Sequence, residues 1–499
     1  MAAMSDDDHV SDSPAPVRKR IVRKRPAASV CSNRVSDSSD EDVSANDDAS
    51  VYESCDDSTT EMGLDTVSAD PAEAVQWALR KLPHTSCANI LKVFNGSINL
   101  GTLCSGLDVG VIGAELIQKE WQSATGLSPL KFKHVFACEI NEQKRVLSKA
   151  EVVWTDVVDV GRGKATDSRT GQITATIGCD VLLAGFVCKD FSMLKSNPIH
   201  FRNLDGKSGP TYFGVKNYVN RHLPRIVILE NVRAIMNKRS CHADGDVSPA
   251  QHVMHEFRAM GYDGGCKIMN SRDYGLPQRR SRCYFVFVYI GEDTKSGYSL
   301  QPDKLAADAF QVAKTLKCNS MPLHEFVGGG EQRTTPPRKK RPTWKTKHAA
   351  FMTAHGITSE EVTNMMESEN FKLQLVIRPA RVMHMTAVHY IRMQKMGVDP
   401  FNTTMVMQVD QSCDRMPCCD AVCPCVTPRG EYWVTNAGYL LTGYDKLALQ
   451  GVTHDIQKAK GLYMLKPKLV GDMAGNAFSL PVCNAVLSGA LASYANRHG

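Results

Sequence analysis

Five short apolar runs, separated by segments of helical period, restrict the fold of this chain more than any other feature. They are "SINLGTLCSG", "FKHVFACEI", "CDVLLAGFVC", "RIVILENV" and "RCYFVFVYI", all between Ser97 and Ile290. Val181-Leu182-Leu183-Ala184 and Ile226 to Leu229 are unbroken apolar stretches, which suits strands covered on both faces. Strands that alternate with helices imply βαβ units and a mostly parallel, doubly wound sheet. "PAEAVQWALRKL" puts Val75, Ala78, Leu79 and Leu82 on one helical face, so the folded body is expected to start near Pro71. The fold class expected is α/β, a Rossmann-like doubly wound domain over 71–290.

Residues 1–70 have a different texture. They hold 16 acidic and 7 basic residues, a net of −9 in a chain of net +6, so the remainder carries +15. Rich in Ser, Asp and Ala and poor in aromatics, they bury too little apolar surface to offset ordering entropy and are expected to be disordered. Within them Arg18-Lys19-Arg20 and Arg23-Lys24-Arg25 form two basic triplets, which read as a nuclear-import signal or as a solvated charge run. A basic body behind an acidic tail suits a polyanionic partner. No run of 18 apolar residues and no apolar leader occurs, so neither a membrane span nor secretion is expected. The 17 cysteines are then expected to be reduced thiols.

Residues 291–430 break the strand–helix rhythm and include "GGGEQRTTPPRKKRPTWKTK", which suggests an inserted recognition region. Residues 431–499 hold "TGYDKLALQGV" and "GDMAGNAFSLPVCNAVLSGALASYA", expected to complete the main domain. The cluster Cys413, Cys418, Cys419, Cys423 and Cys425 matches no standard zinc spacing, so no metal site is expected there.

In open α/β sheets, ligands bind beyond the carboxyl ends of the strands. Here the first strand ends in "CSGLDVG", a Ser105-Gly106 turn. Glu139 follows at the end of the next strand, where an acid is the usual partner of ribose hydroxyls, and Asp156 is a third candidate. Together they suggest an adenosine-containing cofactor. Cys188, Glu230 and Arg282 each stand at a strand end or turn.

Read in order, "CSGLDVG", "GFVCKDFS", "ENV", "QRRSR", "LTGYDKLALQG" and "GNAFSLPV" resemble the motifs of the DNA (cytosine-5) methyltransferase family. The resemblance covers roughly residues 96–498 and implies an S-adenosylmethionine-dependent methyltransferase acting on double-stranded DNA; with the basic triplets over 18–25, a nuclear location is expected. It implies a cofactor site at Cys104, Ser105, Gly106, Leu107, Asp108, Glu139, Ile140, Asp156, Val157 and Asn476. Cys188 would be the nucleophile that adds to cytosine C6, with Glu230 at N3 and Arg282 at O2. Phe186, Ser192 and Arg280 would contact the substrate, Ser192 and Arg280 at the DNA backbone. Residues 291–430 would be the target-recognition region.

The departures are specific. Val187 stands where the family commonly has proline, which would leave the nucleophile turn looser. Lys189 adds a cation beside the thiol. Cys104 replaces an aromatic, and Asp108 and Val109 replace glycines, so Asp108 is a candidate holder of the cofactor's ammonium group. Two further readings share the fold. A tRNA-directed branch carries a Cys-Phe-Thr tripeptide that this chain lacks, and the altered cofactor loop would suit a non-catalytic, DNA-binding relative.

Overall fold

The computed structural model describes residues 64–188, 206, 208–238, 247–291, 303–328, 344–374, 379–413 and 421–499. The five apolar runs form β1 (Ser97–Leu103), β2 (Lys131–Cys138), β4 (Val181–Ala184), β5 (Ile226–Val232) and β7 (Ser281–Tyr289). Two strands carry no such signal: β3 (Val152–Trp154) and β6 (Tyr262–Asn270). Both lie at edges of the seven-stranded sheet, whose order is β3-β2-β1-β4-β5-β7-β6. An edge strand is covered less completely, so β6 tolerates the sequence "YDGGCKIMN". β1 to β5 run parallel, whereas β7 is antiparallel to both β5 and β6.

Strand periodicity sorts the core into two layers. On one face Val181, Leu183, Ile226, Ile228 and Val286 pack under helices α1 (Pro71–Lys81), α2 (Val109–Thr125), α5 (Lys304–Thr315) and α7 (Leu480–His498). On the other, Leu182, Ala184, Val227, Leu229 and Phe285 pack under α3 (Ser208–His222) and α4 (Pro249–Ala259). The doubly wound reading therefore holds. Helix α7 is apolar nearly all round because it is buried. Among the described residues no single helix is long and apolar enough to cross a membrane.

Two boundaries differ from the expected ones. Residues 64–70 pack with the body: Val67 is buried, the Asp65 carboxylate accepts from the Trp77 indole, and the Leu64 carbonyl accepts from Asn319. The rest of the tail, including both basic triplets, lies outside the described residues. Helix α5, which follows position 291, belongs to the main core, because its face of Leu305, Ala309 and Phe310 is apolar and packs on α7. A separate core begins only near Met352, around Met385, Val388 and Tyr390 of α6 (Ala380–Lys395). A small sheet of β8 (Val406–Gln408), β9 (Tyr432–Val434) and β10 (Tyr439–Leu440) joins the two. Alternation along β9 places Trp433 in the inserted core, while Tyr432 and Val434 face a third cluster that includes Leu447, Val470 and Leu480.

Candidate active site

The first turn of the site is strained. Cys104, Gly106 and Asp108 all have left-handed backbones, with φ of 54°, 58° and 57°. Two of the three are not glycine and each costs about 1–2 kcal/mol. The turn is held by its partners: Ser105 N–H donates to the Cys138 carbonyl, and Gly106 N–H donates to Glu139 Oε2 at 2.9 Å. Glu139 Oε1 accepts from Asn141 N–H at 2.9 Å, so two backbone donors orient its carboxylate. Burial pushes the Cys104 thiol up to about 12, helped by Glu139 and Asp156. These three residues from the ends of β1, β2 and β3 are thus brought together. Beside them Ile140 is 76% exposed, and a side chain at Gly106 would meet open space.

This grouping fits an adenosine-containing cofactor. The oriented carboxylate of Glu139 retains lone pairs for ribose hydroxyls, Ile140 offers an apolar flank, and the open Gly106 turn lets a ligand approach the backbone. Asp156 caps a short helix by accepting from Val158 N–H at 2.8 Å. Leu107 and Val157 are buried in the core and act on the site through backbone placement. Asp108 turns away: its Oδ1 accepts from the Thr102 hydroxyl at 2.8 Å, and that hydroxyl also contacts His134 Nε2 at 3.1 Å. The Asn476 side chain is exposed and donates to the Asp472 carbonyl of its own helix, Pro467–Asn476, which precedes α7.

Cys188 follows β4 on a turn anchored from two sides. Val187 N–H donates to the Thr211 hydroxyl at 3.2 Å, and the Phe186 carbonyl accepts from Asn231 Nδ2 at 3.1 Å. Valine in place of proline thus supplies a donor that proline lacks, and the turn gains an anchor where looseness was expected. The Phe186 ring is 3% exposed and packs on Tyr212, so this side chain serves the core. Ser192 and Lys189 lie outside the described residues.

Glu230 and Arg282 come from neighbouring strands. Glu230 pairs in register with Tyr284, so Arg282, two residues away along β7, lies diagonally across on the same face. Arg282 Nε stands 3.3 Å from Glu230 Oε1. Gly185 completes the wall, since a Cβ there would lie 2.9 Å from the Phe478 ring and 3.9 Å from Glu230 Oε2. Burial raises the Glu230 carboxyl above its ordinary range, with Arg282 and Arg280 opposing. Burial and then Glu230 raise the Cys188 thiol, and Arg282 and Arg280 again oppose.

Arg280 occupies another place than the expected DNA backbone contact. It is 3% exposed, and its guanidinium donates to the carbonyls of Val426, Gly475 and Ala477. A phosphate contact needs an exposed cation, whereas Arg280 ties the insertion and the C-terminal segment to β7. Gln278 acts similarly: it donates to the Leu449 carbonyl and accepts from Val426 N–H. Thr211, Asn231, Gln278 and Cys425 were not among the expected site residues. Asn231 and Gln278 did stand inside the quoted "ENV" and "QRRSR" stretches, whereas Thr211 and Cys425 join the site only through tertiary folding. Among the described residues no cluster of metal-ligating side chains occurs; Cys418 and Cys419 lie outside them.

The sheet and the grouping at its carboxyl edge define an α/β domain of the methyltransferase class. The C-5 cytosine-specific DNA methylase family model matches residues 113–407, more than half of the chain, and the chain belongs to that family. S-adenosylmethionine is the methyl donor of the family. Among relatives, the DNA (cytosine-5-)-methyltransferase DMT5 of Cryptococcus neoformans is 26% identical over 81% of this chain and 17% of that protein. The type II methyltransferase M.NgoFVII of Neisseria gonorrhoeae is 31% identical over 22% of this chain and 27% of that protein. The chain therefore spans about one sixth of the Cryptococcus protein's length. The crystal structure of the S. pombe Dnmt2 methyltransferase is similar with a TM-score of 0.40 at 14% identity, over 79% of this chain and 97% of that one.

Proposed function

We propose that this chain methylates C5 of cytosine in double-stranded DNA. The observation that carries the reading is the meeting of Glu230 and Arg282 on one face, 3.3 Å apart, beside the Cys188 turn. Cytosine C5 is a poor nucleophile until a thiolate adds at C6 and makes it enamine-like, which a cysteine can do near neutral pH. Addition places negative charge on the ring. Glu230, whose carboxyl holds its proton to a higher pH than usual, donates to N3, while Arg282 stabilises O2. When bound, S-adenosylmethionine supplies the electrophilic methyl group. Glu139 and the Gly106 turn hold its adenosine end. After transfer a base takes the C5 proton, the C5–H electron pair re-forms the C5–C6 double bond, and Cys188 leaves as the thiolate. A duplex buries C6 in its stack, so the target base is flipped out.

The inserted core that begins near Met352 is the proposed target-recognition region, with the basic "RKKRPTWKTK" stretch on the backbone. The two basic triplets over 18–25 are the proposed nuclear-import signal, so DNA in the nucleus is the proposed substrate. Transfer of tritiated methyl from S-adenosylmethionine to duplex DNA, compared with total tRNA, tests the assignment. Label on DNA is expected. Label on tRNA alone overturns the substrate, and label on neither supports a non-catalytic relative.

A further inference from the structure

Residues 423–426 of the insertion lie alongside residues 277–280. Cys423 N–H donates to the Pro277 carbonyl, Arg279 N–H donates to the Cys423 carbonyl, and Val426 N–H donates to Gln278 Oε1. This pairing delivers the next thiol, Cys425, to the proposed active site, 143 residues away in sequence from Arg282. Arg282 Nη2 donates to Cys425 Sγ at 3.5 Å and Arg280 Nη1 donates to it at 3.8 Å.

A guanidinium has five N–H donors in one plane. In Arg282, Nε faces Glu230 at 3.3 Å, Nη1 donates to the Ser281 carbonyl at 2.8 Å, and Nη2 donates to Cys425. Two directions are thereby fixed by hydrogen bonds, and Nε is held toward Glu230 as an ion pair. We propose that Cys425 is a positioning residue whose sulfur locks the plane of the Arg282 guanidinium for the substrate. The proposal rests on the assignment of Arg282 to cytosine O2.

Charge supports it. Burial pushes the Cys425 thiol up, but Arg282 and Arg280 outweigh burial and hold it below its ordinary value. Cys188, closer to Glu230 in its electrostatics, is held above. The two thiols of the site are thus biased in opposite directions: the arginines favour the ionised form of Cys425, whereas burial and Glu230 favour the protonated form of Cys188. A serine at 425 would carry no charge to pair with Arg282 and Arg280, so the Nη2 contact is weakened.

The test uses the full chain and two independent readouts. Pulse alkylation with iodoacetamide across pH, read by peptide mass spectrometry, reports both thiols in the unmodified protein. Cys425 is expected to reach its half-maximal rate below the ordinary thiol value of about 8.5, and before Cys188. A midpoint at or above that value overturns the thiolate. Cys425→Ser is expected to lower kcat about tenfold with KM for DNA within about twofold, and Cys425→Asp, which restores the charge, to recover part of the loss. Wild-type kcat in Cys425→Ser overturns the positioning role. Failure of the wild-type protein to methylate DNA would instead sink the functional assignment, and would leave the alkylation result standing.

Discussion

Glu230 and Arg282 face each other diagonally across β5 and β7, with Arg282 Nε 3.3 Å from Glu230 Oε1. Neither is near the other in sequence, and the antiparallel register of the last strand is what joins them. Removing the acid's proton while keeping its shape isolates its part in the chemistry. Glu230→Gln is expected to retain DNA binding and to lose roughly a hundredfold or more in methyl transfer, as removal of one preorganised charge-stabilising group does. Single-turnover kinetics with labelled cofactor check this.

The pH profile follows from the two raised groups. Cys188 must lose its proton to react, so its active fraction rises tenfold per pH unit below its pKa. Glu230 must keep its proton, so its active fraction falls tenfold per unit above its pKa. Between the two values the slopes cancel and the rate of adduct formation is expected to be flat. In Glu230→Gln the falling factor is gone, so the same interval is expected to rise with a slope of about one. A flat profile in that variant would remove Glu230 from the proton inventory.

Fluorine at C5 blocks the last elimination, so 5-fluorocytosine DNA should trap the covalent species. The wild-type chain is expected to form a denaturation-resistant adduct, and Cys188→Ser none. Gel mobility under denaturing conditions reads this directly. An unchanged adduct in Cys188→Ser would move the nucleophile elsewhere.

Arg280 is expected to behave as a strut. Arg280→Met leaves the carbonyls of Val426, Gly475 and Ala477 without their donor, at a cost of about 3 kcal/mol or more in stability. Urea denaturation reads the loss. The dependence of DNA affinity on salt is expected to keep its slope, because no phosphate contact disappears.

Glu139 holds the Gly106 turn through one oxygen and Asn141 through the other. Glu139→Ala therefore removes both a proposed ribose contact and the brace of a strained turn. Affinity for S-adenosylmethionine is expected to fall at least about tenfold, the equivalent of one charge-assisted hydrogen bond, by isothermal titration.

The sequence by itself determined the parallel half of the sheet, because a strand buried on both faces must be written as an unbroken apolar run. It also placed Cys104 and Glu139 immediately after their strands and Cys188 on the turn after β4, where turn residues interrupt each run, whereas Glu230, expected at a strand end, lies within β5 and is paired with Tyr284. The edge strands were illegible for two different reasons: β3, Val152–Trp154, is apolar but only three residues long, too short to show a period, and β6 lies at an edge that does not demand an apolar sequence. Tertiary structure alone decided which polar side chains reach the site. Arg280, just before β7, and Arg282, within it, are two residues apart, yet one is sealed among carbonyls of the C-terminal segment and the other meets Glu230. Asp108 is held by the Thr102 hydroxyl, six residues earlier in the chain. Cys425 arrives from the insertion through backbone pairing with Pro277 and Arg279. Such outcomes depend on donors and acceptors distant in the chain, and no local periodicity encodes them.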